Sequence, residues 1–385
     1  MAGISPVNAF TPADEVRDPA RFAGRDAELG ILAHALESDG SQIVIYGNRG
    51  VGKSSLARQL ERLAINDPDV VARLKARPGR KLDFLTIYFG CDDSVTSIPR
   101  LLLRLLSDDA ALGPWVAFKV IERETTGEGG AKLNVKVISV SGKVTGSIKE
   151  AAQELETDVI SVFTNALKGV VASGAAADGV LIVIDEFDRI RDRSGLASLL
   201  KVLGPEKVKF ALVGVATTVQ ELITEHESVA RLLADGSVLV PPMSVADMNE
   251  IFERAERLLD GKYTFTKEAR DWIVGVARGH PFYVHLIGKH ALLKAIEAKH
   301  TVVTAEIARL SLTEIALKGS APIQESLYKT AIGHSYIREC VLKRFAGVSD
   351  EEIHTTELYA DLAKDLRIDA GAVSVYVGQL ASDKY

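Results

Sequence analysis

Three short clusters of residues have the types and spacing to do chemistry together. The first is Gly47-Asn48-Arg49-Gly50-Val51-Gly52-Lys53-Ser54-Ser55, which carries the spacing G-x-x-x-x-G-K-[ST] of a phosphate-binding loop, the P-loop. Its glycines let successive backbone N–H groups turn inward onto phosphate oxygens. Lys53 is long enough to reach β- and γ-phosphates, and the Ser54 hydroxyl is a ligand for Mg²⁺. A helix opening near Lys53 adds its positive end to the same anion. The second cluster is Asp185-Glu186, at the end of the aliphatic run Val180 to Ile184. Asp185 would hold the Mg²⁺ through water and Glu186 would polarise an attacking water. Asp188 and Arg189, just beyond, read as caps of the next helix. The third is Thr217, with Thr218 behind it, after the run Val208 to Val215. A polar group at the tip of a strand beside the Asp-Glu strand can feel a γ-phosphate; the alternative is a cap for the helix that starts VQELI.

The elements that must position these groups follow from hydrophobic pattern. Gln42 to Tyr46 is a buried strand leading into the P-loop, and Leu56, Leu60 and Leu63 mark the helix that leaves it. Residues 83–91 (DFLTIYFGC) are a second buried strand, and Ile98 to Leu106 start another helix. Continuous aliphatic runs such as 180–184 and 208–215 predict strands covered on both faces, hence a parallel α/β sheet with helices on both sides. Catalytic groups in such sheets lie just past the strand carboxyl ends. A short last strand, Val238 to Val240, follows a helix carrying Arg231. Residues 1–20 are polar and proline-punctuated and read as an arm lying on the surface. Between 115 and 150 the pattern breaks: Leu133, Val135 and Val137 alternate, Ser141-Gly142 supplies a turn, and Val144 and Ile148 continue, which predicts a β-hairpin preceded by a loop over 125–130. A peripheral decoration and a partner-binding hairpin are both open.

From 243 to 316 the periodicity is helical with no strand signal: Met248, Ile251, Phe252 and Ala255 line one face, Trp272, Ile273 and Val276 another, and Val284, Ile287 and Ala291 a third. Between these segments lies Arg278-Gly279-His280-Pro281-Phe282, with Pro281 suited to a first helical turn. The tail predicts helices around 337–345, 357–366 and 369–380, a helix-turn-helix spacing. Tyr385 falls where a winged-helix domain ordinarily continues into its β-wing, the pattern of a chain cut short. The expected organisation is therefore a core over 1–242 with the hairpin insertion, a helical lid over 243–320 and a winged-helix-like domain over 321–385.

Composition bounds the rest. The chain has 385 residues, 47% of them hydrophobic, enough for a substantial core, and its formal net charge of −6 gives no global attraction to nucleic acid or anionic membrane. Cys91 and Cys340 form neither a disulfide framework nor a C-x-x-C pair, which favours a reducing, cytoplasmic setting. The N-terminus has no signal-peptide pattern and no run of 18 apolar residues occurs, so no membrane is expected. No N-K-x-D guanine motif occurs, which disfavours a GTPase. A carboxylate at Glu186 suits water better than the bound acceptor of a small-molecule kinase.

The order of RFAGRDAEL (21–29), GNRGVGKSS (47–55), VLIVIDEFD (180–188), the strand ending at Thr217, GHP (279–281) and a winged-helix-like tail resembles the AAA+/STAND class of P-loop ATPases. Within it the chain is similar to origin-recognition-like (ORC/Cdc6-type) ATPases. The resemblance implies a parallel sheet, a helical lid closing over ATP, Mg²⁺ as cofactor and conformational change driven by the nucleotide. Residue by residue it implies phosphates on Gly47 to Ser55, metal on Asp185, water on Glu186 and a γ-phosphate sensor at Thr217. It further implies adenine near Phe22 and Arg25, with Pro281 against the base. AAA+ proteins expose an arginine finger between the sensor strand and the last strand, where Arg231 stands; a solvated helix arginine is the alternative. AAA+ lids usually place an arginine shortly after the glycine of the GHP segment, whereas here Gly279 is followed by His280, Pro281 and Phe282. That form resembles the STAND branch.

The leading expectation is an ATP-hydrolysing molecular switch whose lid and C-terminal domain respond to nucleotide. Its rivals are an ATP-gated DNA-binding initiator or loader, and a slow-hydrolysing scaffold that assembles with itself or a protein partner. Residues 321–385 carry seven Lys/Arg against ten Asp/Glu. The tail alone therefore has little with which to neutralise DNA phosphates, and weak or no duplex binding is expected of it.

Overall fold

The structure, a computed structural model, describes residues 4–115, 117–126, 130–139, 159–223, 227–317, 322–348 and 355–381. The chain falls into two compact units, Met1–Ala308 and Arg309–Tyr385.

The first unit is built on five parallel strands. In chain order the strands are β1 (Ile43–Gly47), β2 (Leu85–Gly90), the hairpin pair β3 (Ala117–Thr126) and β4 (Gly130–Ser139), then β5 (Val180–Asp185), β6 (Val208–Val215) and β7 (Ser237–Leu239). The sheet order is β2-β5-β6-β1-β7. Each of β1, β5 and β6 has a neighbour on both sides, which is why their sequences are unbroken aliphatic runs. Ile45, Val183 and Val213 face α1 (Asp26–Glu37) and α2 (Lys53–Ala64), packing with Leu32, Leu56 and Leu60. The alternate residues Ile182, Phe210 and Leu212 face the opposite core, built with Leu102, Phe163 and Leu199. These come from α4 (Ile98–Ser107), α5 (Val159–Ala172) and α6 (Leu196–Leu203), after the short α3 (Pro68–Val71). Lys209 on β6 is buried and donates to the carbonyls of Ala35 (3.0 Å), Ser38 (2.5 Å) and Ser41 (3.1 Å) at and just past the end of α1. Its burial pushes the ammonium pKa down to about 8.

Two short helices, α7 (Val219–Leu222) and α8 (Glu227–Ala230), precede β7, and α9 (Val245–Leu258), α10 (Lys267–Ala277) and α11 (Pro281–Glu297) follow it. A two-residue parallel pair, β8 (Thr264–Phe265) with β9 (Val302–Val303), joins these helices. It is too short to leave a periodicity, and none was expected in this segment. After α12 (Ala305–Leu317), the second unit contains α13 (Pro322–Ile332), α14 (Tyr336–Ala346), α15 (Thr355–Leu366) and α16 (Ala370–Leu380). Its core gathers Val341, Leu358, Leu362 and Val373. No strand occurs in this unit among the described residues.

Three expectations are amended. The N-terminal arm is mostly exposed or half-exposed, as expected, but it is not purely polar in its contacts: Phe10 is fully buried, edge-on to Phe252 (5.8 Å between centroids), Phe265 (5.6 Å) and His285 (6.1 Å). Gly288 in α11 makes the room, since a Cβ there would lie 2.8 Å from the Phe10 ring. One aromatic among polar neighbours carries no period, so the anchor was invisible. The hairpin is present, but its connection runs between Thr126 and Gly130, inside the stretch read as a preceding loop. Register shifts at Ala117/Phe118 and Val120/Glu122 break the alternation that would have marked β3; Ser141-Gly142, Val144 and Ile148 lie outside the described residues. In α16, whose position after the turn makes Ser374, Tyr376 and Gln379 its expected exposed residues, Ser374 is exposed, but Tyr376 packs against the core of the second unit and Gln379 accepts a hydrogen bond from Arg338 Nε at 3.1 Å. That helix therefore presents less polar surface than its spacing promised.

Candidate nucleotide site

Parallel register brings the carboxyl ends of the central strands level: Gly47 at the end of β1 pairs with Val215 at the end of β6, and Asp185 ends β5 on the other side of β6. The P-loop turns out of β1 through Gly47, at φ 148° and so tightly placed that a Cβ would stand 2.6 Å from the Val240 carbonyl oxygen. Gly52, with φ 96°, closes the loop onto α2. A side chain at Gly47 would displace the Val240 backbone, and at Gly52 it is the positive φ, which side chains rarely adopt, that calls for glycine.

A cavity of about 660 Å³ opens at this edge, within the ~300–1,000 Å³ range of small-molecule sites. Its wall collects residues from separate stretches of the first unit: Arg49 to Ser55, Asp185, Glu186 and Asp188, Phe22 and Arg25, and Pro281, Phe282 and His285 of α11. Pro281 Cγ lies 3.8 Å from where a Gly52 Cβ would be, so the first turn of α11 sits directly over the P-loop. The arm residues Thr11, Pro12, Asp14, Glu15 and Val16 also line it. They are pinned there by the Val16 N–H on Ser55 Oγ (2.9 Å) and by Gln59 Nε2 on the Val16 carbonyl (2.9 Å).

Lys53 is buried, with Nζ donating to the carbonyls of Gly47 (3.1 Å) and Asn48 (2.8 Å). Its pKa is lowered, first by burial and further by Arg49, against the opposing pull of Asp188 and then Asp185. Asp185 Oδ1 accepts the Glu186 N–H at 2.8 Å and Oδ2 accepts the Tyr88 hydroxyl at 2.5 Å. Burial, then Asp185, raises the Tyr88 phenol pKa, so Tyr88 is held as a donor. Glu186 takes a left-handed backbone (φ 54°) where β5 ends and the chain turns. Its carboxylate pairs with Arg189 Nε at 2.6 Å, and Arg189 also holds Asp93.

Other expected residues lie elsewhere or act otherwise. Thr217 is not in the cavity wall; its N–H and hydroxyl both donate to the Glu221 carboxylate, which makes it part of the start of α7. Arg231 is exposed and also outside the wall. Arg25 is in the wall but its guanidinium is committed, donating to Glu28 (2.9 Å), the Val51 carbonyl (2.9 Å) and the Pro241 carbonyl (2.7 Å). Phe22 is buried with Arg73 over its ring at 5.2 Å. Asp188, read as a cap, instead accepts the Val215 N–H at 2.9 Å and ties β5 to the end of β6 beside Lys53. The repeat of acidic residues in Asp185-Glu186-Phe187-Asp188 was the available signal. His285 was missed altogether. It takes the Thr11 N–H on Nδ1 (3.3 Å), and desolvation, then Arg21, pushes its pKa down to about 4.

The family description "AAA ATPase domain" matches residues 21–213, half of the chain. The chain belongs to that family. Among solved structures, the Aeropyrum pernix ORC2 protein in its ADPNP–ADP complexes is similar at TM-score 0.51 and 15% identity, covering 92% of this chain and 85% of that one. The A. pernix ORC1 protein in complex with DNA matches at TM-score 0.46 and 17% identity (93% and 83%). The Thermotoga maritima RuvB Holliday junction branch migration motor matches at 0.44 and 15% (93% and 88%). At these identities the likeness is one of fold. No curated protein matches the chain.

The residues of this cavity wall suit a nucleotide. Among the described residues no cluster of three or more His, Cys, Asp or Glu could hold a metal by itself. One hydroxyl (Ser54) and one carboxylate (Asp185) instead match the way Mg²⁺ is shared between a protein and the phosphates it brings. No helix among the described residues is long and apolar enough to cross a membrane.

Proposed function

We propose that this chain binds ATP with Mg²⁺ and hydrolyses it, the nucleotide state governing how the helices from 243 to 320 sit over the P-loop and, through them, the domain at 321–385. The observation that supports this best is the composition of one cavity wall. It joins the P-loop with Lys53 and Ser54, the paired carboxylates Asp185 and Glu186, and the first turn of α11 at Pro281. In this reading Gly47 to Ser55 and Lys53 hold the phosphates, Ser54 and Asp185 the metal, and Glu186 the attacking water. Phe22 and Pro281 flank the base, while Arg25 shapes the loop from behind. Nucleotide titration of the wild type against Lys53→Ala tests it: the variant should stay folded and lose tight binding, and equal affinity would overturn the assignment.

A second reading, a slowly hydrolysing scaffold that assembles with copies of itself or a protein partner, is favoured by two observations. Glu186 is ion-paired with Arg189. Among the described residues, the helices after 243 contribute no arginine to the cavity wall. The exposed Arg231 would then serve a neighbouring copy. Mass in solution with and without ATP, and with and without duplex DNA, separates the switch, the scaffold and an ATP-gated DNA binder.

A further inference from the structure

Asp185 is held at both oxygens, and the second hold leads away from the cavity. In the parallel register Gly90 pairs with Asp185 and Tyr88 with Val183. Residues two apart on a strand share a face, so Tyr88 lies on the same side of the sheet as Asp185, the side covered by α2. Its hydroxyl reaches Asp185 Oδ2 at 2.5 Å. From α2, Arg58 lies over the ring with its guanidinium carbon 3.2 Å from the centroid. Arg58 is fixed in turn by Glu61 Oε2 (2.8 Å) and by Glu15 Oε1 (3.1 Å) on the N-terminal arm.

We infer that Tyr88 is a positioning residue for the metal-holding carboxylate, and that Arg58 and Glu15 extend this support to the N-terminal arm. The inference rests on the proposed nucleotide function. A carboxylate that binds Mg²⁺ through water needs one orientation, and here the two donors, Glu186 N–H and Tyr88 O–H, fix it while leaving a lone pair on each oxygen for metal-bound water. Without the phenol, only the Glu186 N–H on Oδ1 is left to orient the carboxylate. Partners of this kind change metal affinity by about 10- to 100-fold when removed. The flat stack of Arg58 explains why an edge-strand tyrosine keeps one rotamer, since the cation both attracts the ring face and blocks its rotation.

The test is binding of the fluorescent nucleotide N-methylanthraniloyl-ATP, first in EDTA and then with increasing Mg²⁺. Tyr88→Phe keeps ring and stack and removes only the hydroxyl. The expected result is an affinity in EDTA within about twofold of wild type and a half-saturating Mg²⁺ concentration raised about tenfold or more. Arg58→Met, which leaves the hydroxyl in place, should shift Mg²⁺ in the same direction by less, and Arg58→Lys should recover part of it. The Arg58 pair gives the same reading if Tyr88→Phe does not fold. An unchanged Mg²⁺ requirement, or an equal loss of affinity in EDTA and in Mg²⁺, overturns the inference. A wild type that does not bind the probe at all would instead overturn the proposed function.

Discussion

Arg25 Nη2 donates to the carbonyl of Val51, in the middle of the P-loop, at 2.9 Å, and the same nitrogen reaches the Pro241 carbonyl just after β7. Arg25, which also lines the cavity, thereby clamps the phosphate loop against the edge of the sheet. With 6% of its surface exposed and Glu28 as its ionic partner, it belongs to the buried pairs that are costly to break.

Arg25→Met should lower the unfolding free energy by about 3 kcal/mol, because Glu28 and two carbonyls lose their partner together. Urea denaturation measures it. A change below about 0.5 kcal/mol, the range of ordinary surface substitutions, would show that the loop does not depend on the clamp.

His285 makes stability depend on pH in a defined window. Its folded pKa is about 4, against the usual 6.5. Between these values the unfolded chain takes up a proton that the folded chain refuses, so stability is full above pH 6.5, falls as pH drops toward 4 and levels off below. The loss attributable to this one group should be about 3 kcal/mol, and His285→Gln should remove that part of the slope. Denaturation midpoints of both proteins at pH 7, 5.5 and 4 are the check; parallel curves would mean that His285 takes up its proton at the same pH in the folded and unfolded chain.

The second unit should contribute little to DNA binding. Residues 321–385 hold seven Lys/Arg and ten Asp/Glu, and on α16 Ser374 is exposed while Tyr376 and Gln379 are half-buried. Full-length protein without nucleotide should bind a fluorescent duplex no tighter than about 10 µM at physiological salt, within the non-specific range. Sub-micromolar binding with a steep salt dependence would favour the DNA-binding alternative.

The parts of this site that could be read from the sequence are those whose chemistry is local. Gly47 to Ser54 is a run of neighbours whose spacing is itself the phosphate cradle, and Asp185-Glu186 ends a strand whose aliphatic run announces burial on both faces. What could not be read depends on contacts between distant stretches. Phe10 is an anchor only because Gly288, far along the chain, leaves it space. Thr217 meets Glu221, four residues on, whose carboxylate takes both its N–H and its hydroxyl, a contact that the strand-tip reading did not include. Tyr88 looked like one more apolar residue of a strand until register placed it two positions from the partner of Asp185.

The central claim is that Glu186 activates water for hydrolysis of a nucleotide held by Lys53, and single-turnover ATP hydrolysis by Glu186→Gln tests it most directly. The variant keeps the size of the side chain and loses its basicity and its charge on Arg189. The account predicts ATP binding close to wild type with the hydrolysis rate reduced about 10²- to 10⁴-fold. Hydrolysis at the wild-type rate by a variant that binds ATP normally would contradict it.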